Sequence, residues 1–411
     1  MCSSDLNNFI DKMEEYVPGS REKMTKLFDL FQEVLDGIAY ITASKGNPDS
    51  KVLQTDYPDM LRCGAYSTQK VFDALKLPKK CQDILATYWS YLGVDMEHLA
   101  FIHYAAMVHK YVQRSAYIPA HTSHEYSTAM IERFRELGGD VWFNCRAEEF
   151  LFISDKLCGV RTNLGDIECD YALANINPDI IYGRMIPKEL IPEREKKLSN
   201  ARGRILGGRM YTAYFCCDAT PEELGITDYS YFLPSTANSV VEYQRIQGGM
   251  KTNDYSIFLC YNIANPDFSP PGTCVCSFTT FGSPDEWGKL KQEDYFRFKN
   301  EGAKKMLKSL EEKTGIDLTG HIEEMEVASP WTFARYLGVP EGSVYGYEAR
   351  DWDGMMARMQ MIGDDYPIKG LRPIGAAGPR SDGYSATIVC GQLIAGYALR
   401  DLKAWSEGGN K

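Results

Sequence analysis

Basic residues are in deficit. The chain carries 45 Lys and Arg against 56 Asp and Glu over 411 residues, a formal net charge of −11. That balance argues against a nucleic-acid partner and against a generally basic, membrane-binding surface. No run of about 18 apolar residues occurs, so no transmembrane helix is expected, and no signal peptide reads at the N-terminus. A cytoplasmic chain is the expectation. Also missing are a Walker loop, a Gly-x-Ser-x-Gly elbow, internal repeats and low-complexity segments. Gly-x-Gly-x-x-Gly, the turn that holds a dinucleotide pyrophosphate, occurs nowhere. None of the 12 cysteines forms a Cys-x-x-Cys pair. Cys274-x-Cys276 lies in a strand-like run that points both thiols to one face. Free thiols are expected there and no metal site. His121-x-x-His124 lacks the carboxylate that a metalloprotease helix needs. His98, His103, His109, His121 and His124 are expected at helix caps and on the surface.

What is present suits a globular protein of two or three domains, with 44% apolar and 12% aromatic residues. The most informative stretch is near the end, Gly370-Leu371-Arg372-Pro373-Ile374-Gly375-Ala376-Ala377-Gly378 followed by Pro379-Arg380-Ser381-Asp382-Gly383. It predicts a short strand, a glycine-rich loop and a helix from about Tyr384 to Trp405. That helix is apolar almost all round (Ile388, Val389, Cys390, Leu393, Ile394, Tyr397, Leu399), which predicts burial. Such a turn presents helix N-terminal N–H groups to an anion or an electron-rich ring. Pro373 removes a ladder donor and calls for an edge position.

Residues 116–178 form a second informative stretch. A helix over about Ser123–Leu137 ends at Gly138-Gly139. Strands are expected at Asp140–Asn144, Glu149–Ile153, Leu157–Thr162 and Asp166–Asp170, and a buried strand at Tyr171–Ala174 ends in Asn175-Ile176-Asn177-Pro178. Residues 7–115 read as helices: one from Phe9 to Tyr16, one capped by Ser20 with Met24, Leu27, Phe28, Phe31, Val34, Leu35 and Ile38 at three- and four-residue spacing, and others near Ser67–Leu75, Cys81–Tyr91 and Met96–Val112. Beyond 179, strands are expected at Arg209–Cys217, Tyr255–Asn262 and Thr273–Phe281, in one mixed or antiparallel sheet, with helices at 185–201 and 291–313. The charge runs Glu193–Lys197, Glu311–Lys313 and Glu323–Glu326 read as solvated helix faces.

The two informative stretches together resemble the phytoene desaturase family of FAD-dependent oxidoreductases, which includes carotenoid isomerases and retinol saturases. The likeness covers 116–178 and 330–400, and more loosely the residues between. It implies an α/β fold: a Rossmann-like FAD-binding domain built from discontinuous segments (116–178 and 351–411), and a substrate domain of mixed sheet and helices (179–350) with a helical part (7–115). It implies FAD contacts from Ala147 on the adenine side, where the family usually has valine, and from Gly375, Ala376, Gly383, Tyr384 and Ser385 on the flavin side. Pro330–Tyr336 and Gly342–Gly346 resemble family motifs near the substrate cavity, which nominates Trp331, Arg335, Tyr336 and Tyr345. No catalytic acid or base is identified. The implied chemistry is desaturation, saturation or isomerisation at carbon–carbon bonds of an apolar, isoprenoid-like substrate. Contact with a membrane surface, where such substrates dissolve, follows from the family and not from the charge.

Two other readings stand beside it. One is an amine-oxidase-like flavoenzyme. The other is an N-terminally truncated, non-catalytic fragment, because the glycine-rich dinucleotide turn is missing. Met1-Cys2-Ser3-Ser4-Asp5-Leu6 resembles an in-frame translation of a sequencing adaptor, which predicts a native sequence that begins upstream of Asn7.

Overall fold

The computed structural model describes residues 6–45, 47–114, 116–193, 195–196, 206–350, 366–378 and 383–408. Met1–Asp5, residues 194 and 197–201 of the helix expected at 185–201, and loop residues 379–382 lie outside them; within 186–192 that helix is not formed, and Lys188–Leu190 is a single 3₁₀ turn.

Helices fill the first third: α1 (Leu6–Tyr16), α2 (Arg21–Ala43), α3 (Ser50–Asp56), α4 (Pro58–Cys63), α5 (Thr68–Ala74), α6 (Lys79–Ala86) and α7 (Phe101–Arg114). Apolar spacing decides their packing. Met24, Leu27, Phe28, Phe31, Val34 and Ile38 of α2 are buried, as their spacing predicts, and Leu35 is half-buried. Each such side chain contributes about 1.5–3 kcal/mol over exposure. Ser20 does not cap α2. The Glu14 carboxylate takes that place, accepting the Gly19 and Arg21 N–H groups at 2.7 Å each. Those bonds hold its carboxyl below the usual range. His103 and His109 are also not surface residues. Both are buried in α7, where its apolar face turns into the core.

Next come α8 (Ser123–Glu136) and an antiparallel meander of β1 (Ala147–Ile153), β2 (Lys156–Thr162) and β3 (Gly165–Glu168). Gly138, in the left-handed region at φ 88°, ends α8. The strand expected at Asp140–Asn144 does not form. Among the described residues it has no strand to pair with, and Trp142 and Phe143 stay exposed. No residue of α8 is buried either.

β4 (Ala172–Ala174) leads into the short α9 (Pro178–Ile180). Then follow β5 (Met210–Cys217), β6 (Ser230–Leu233), α10 (Ser239–Gln247), β7 (Ser256–Cys260), α11 (Tyr261–Ala264), β8 (Cys274–Phe281), α12 (Pro284–Lys289), α13 (Tyr295–Thr314), β9 (Ile322–Ala328) and α14 (Pro330–Leu337). The five strands form one sheet of order β6-β7-β8-β5-β9, antiparallel at every pairing. Phe215, Phe258 and Phe278 share a core with Ala303, Met306 and Leu310 of α13. Glu323, Glu324 and Glu326 lie exposed on β9, an edge strand and not a helix, where their charge discourages further strand pairing.

β10 (Leu371–Pro373) returns to pair with β4 in parallel, register Leu371 to Ala172 and Pro373 to Ala174. Residues about 200 positions apart therefore meet in one small parallel sheet, the discontinuous α/β construction that the sequence implied. Among the described residues β4 is the one strand beside β10, so Pro373 lies at an edge there. The chain closes with α15 (Tyr384–Gly408), which packs Cys390, Ile394 and Tyr397 onto the helical core. Burial on all sides, expected from its composition, is not found. Ile388, Val389 and Leu399 are exposed, because the parallel sheet beside it has two strands among the described residues.

Arg372 ties these parts together. Its guanidinium lies between the rings of Tyr366 and Tyr397, 5.1 and 4.9 Å from their centroids. Its Nε donates to the Tyr171 hydroxyl (2.9 Å), which donates in turn to Asp401 of α15 (2.9 Å).

Candidate cofactor site

β4 and β10 end on the same side, so Asn175 and Gly375 come together just beyond them. Gly375 has φ 75°, and a Cβ there would lie 1.9 Å from the Asn175 Oδ1. No other residue fits that position without moving Asn175. The loop then folds onto α15: a Cβ at Gly378 would meet the Cys390 Sγ at 2.5 Å.

A cavity of about 570 Å³ opens at this junction. Its walls include Ala147 and Glu148 of β1, Asn175 and Asn177 after β4, Ser343 and Gly346 after α14, and Ala376 after β10. Each wall has a local cause. Asn177 caps α9 by accepting the Asp179 N–H (2.9 Å), and it also accepts the Tyr347 hydroxyl (3.2 Å). The Ser343 hydroxyl donates to the Gly346 (2.7 Å) and Gly207 carbonyls, which fixes that turn. Arg146 and Arg184 bring two guanidiniums to the lining, and Arg146 also pairs with Glu148 at 2.7 Å.

The residues nominated from sequence fall into two groups. Ala147 and Ala376 both line the cavity, although 228 positions separate them in the chain, and Gly375 lies buried beside Ala376. Gly383, Tyr384 and Ser385 lie outside the lining, exposed at the start of α15, with the Tyr384 ring edge-on to Tyr126 of α8 at 6.1 Å. Tyr384 is also near Tyr214 and Tyr261. Burial raises both of those phenols, and Tyr384 adds to the effect.

The substrate candidates do not converge. Trp331 stacks on Tyr295 at 5.2 Å and donates its indole N–H to the Trp287 carbonyl. Arg335 and Tyr336 are exposed on α14. Tyr345 packs against Gly93 and Phe281. Asn175, Asn177, Ser343 and Arg184 were not singled out. The Asn175–Pro178 turn was the available signal: an Asn that caps a helix directly after a parallel strand faces the crevice at that strand's carboxyl end.

No family model matches the chain. It is 24% identical over 371 residues to the all-trans-retinol 13,14-reductase of Rattus norvegicus, covering 84% of this chain and 60% of that protein. It is 24% identical over 366 residues to the Homo sapiens protein of the same name, covering 82% and 59%. The chain thus spans about 60% of the length of the curated relatives it matches. Among solved structures, a putrescine oxidase redesigned in cofactor binding superposes with a TM-score of 0.61 at 12% identity, over 93% of this chain and 76% of that one. Cyclohexylamine oxidase from Brevibacterium oxydans gives 0.52 at 10% identity, over 93% and 76%. The chain shares the fold of these oxidases and is a distant relative of the all-trans-retinol 13,14-reductases, in line with the phytoene desaturase and retinol saturase resemblance carried by its own segments.

Proposed function

We propose that this chain carries part of an FAD site, in an oxidoreductase that reduces a carbon–carbon double bond of an apolar, isoprenoid-like polyene. The observation that carries the reading is the cavity in which Ala147, Asn175 and Ala376 meet. Small side chains leave backbone open to the cofactor, on its adenine side at 147 and on its flavin side at 376, and Gly375 allows the loop to pass Asn175. The residues present therefore fit a bound FAD. Arg146 and Arg184, both in the lining, are cations suited to its phosphates. In this reading 116–178 and 351–411 form the cofactor half, and 7–115 with 179–350 form the substrate half. When bound, FAD exchanges hydride with the substrate carbon. The chain's own part is to hold the ring, orient the polyene and exclude water. The reductase name of the curated relatives supports saturation over desaturation. Their substrate also supports peripheral contact with a lipid surface.

The exposed apolar stripe of α8 favours a second reading, in which FAD is held firmly only when a further element covers that face. Activity is tested by anaerobic incubation of the chain with FAD, dithionite and all-trans-retinol, followed by mass spectrometry. A product two hydrogens heavier, dependent on FAD, is expected. Unchanged retinol in the presence of demonstrably bound flavin would refute the assignment.

A further inference from the structure

Four of the 12 cysteines converge at one end of the five-stranded sheet, on the face away from Tyr214 and Cys216. Cys217 ends β5 and stands opposite Cys274, the first residue of β8. Cys276 is two residues further along β8, on the same face, and stands opposite Cys260, which ends β7. All four are buried, at 0 or 1% exposure. The sulfurs of Cys217, Cys274 and Cys276 all lie within 4.8 Å of one another, and Cys274 and Cys276 are 3.9 Å apart. Three sulfurs on one ion at bonds of about 2.3 Å stand about 4.0 Å apart if trigonal and about 3.8 Å if tetrahedral. The Cys274–Cys276 spacing is that of ligands around a shared ion, and Cys217 stands within 4.8 Å of both.

We propose that Cys217, Cys274 and Cys276 form a thiolate site for a soft d10 metal ion, Zn(II) or Cu(I), with Cys260 as the fourth sulfur. Thiolate-only sets select such ions over hard cations. Two further observations fit. A register shift in β5 falls between Cys216 and Cys217, and an irregularity of this kind re-aims a side chain. The site also lies at strand ends beside the 218–220 and 269–273 loops, which gives an ion a route in. Bound there, the ion would fasten β5, β7 and β8 at one end. The inference does not rest on the flavin reading.

The test is anaerobic loading of the reduced full chain with Zn(II), and separately with Cu(I), then desalting, elemental analysis and X-ray absorption. One ion per chain is expected, surrounded only by sulfur: four sulfurs for Zn(II), three for Cu(I). Cys216→Ser, on the opposite face, should keep the ion. The Cys274→Ala, Cys276→Ala double variant should retain at least tenfold less. If that variant fails to fold by circular dichroism, the wild-type absorption spectrum decides alone. No retained ion, a shell containing nitrogen or oxygen, or equal retention by a folded double variant would overturn the site. So would a thiol count two short, which would mean a cross-strand disulfide between Cys217 and Cys274.

Discussion

Gly375 has little freedom to be anything else. Its positive φ costs a side chain about 1–2 kcal/mol, and the Asn175 Oδ1 occupies the space that a Cβ would take. Gly375→Val should therefore lose stability and the cavity together. Ala376→Trp is the cleaner probe: it fills the cavity from a position with no such strain, so stability should change little while flavin binding falls at least tenfold. Arg372 makes a different kind of contribution. Its side chain is almost wholly buried, stacked on two tyrosines and linked through Tyr171 to Asp401. Arg372→Leu removes a donor from a half-buried network and should cost about 1–3 kcal/mol in urea unfolding. Lysine should rescue only part, because it cannot stack as a plane. His109 gives a pH signature. Burial, then Arg114, lowers its pKa from the ordinary 6.5. The unfolded chain then takes up a proton more readily than the folded one. Stability is therefore unaffected well above pH 6.5 and falls as pH drops below it, by at most about 1.4 kcal/mol per pH unit. His109→Phe should flatten that slope relative to the wild type in paired melts.

At the scale of elements, α8 and α15 show what periodicity can and cannot fix. Tyr126, Met130 and Phe134 recur at four-residue intervals, so the helix was legible. Its partner was not, since an apolar stripe does not say what covers it, and here all three stay exposed. Exposed stripes of this kind mark contact surfaces. Met130→Glu with Phe134→Glu should change folding stability by no more than about 0.5 kcal/mol and should reduce self-association in sedimentation velocity. The composition of α15 predicted burial, but burial depends on neighbours that a single helix does not encode. Asp140–Asn144 has strand-forming residues and, among the described residues, no strand beside it. By contrast β1 to β3 were legible because hairpin partners are close in sequence and the turn residues fix their register. The sulfur cluster was illegible for the opposite reason. Its members come from three strands, and the signal in one strand, Cys274-x-Cys276, is common in ordinary cores.

At the scale of the molecule, one crossing matters most: β10 returns over about 200 residues to lie beside β4. That single parallel pairing brings Ala147, Asn175 and Ala376 to one cavity. Both contributing segments were readable from their turns and their family resemblance. Their meeting point depended on tertiary pairing that no local pattern specifies. The pairing also separates the nominated residues, since Ala376 lines the cavity while Tyr384 faces α8 and Tyr214. The direct test is a fluorescence titration of FAD with the purified chain and its Ala376→Trp variant, each checked for folding by circular dichroism. Saturable quenching by the wild type with a Kd on the order of micromolar, weaker for riboflavin and at least tenfold weaker for the variant, is the predicted result. An FAD signal left unchanged by the folded wild-type chain, or quenched equally by the variant, would contradict the assignment of this cavity to the flavin.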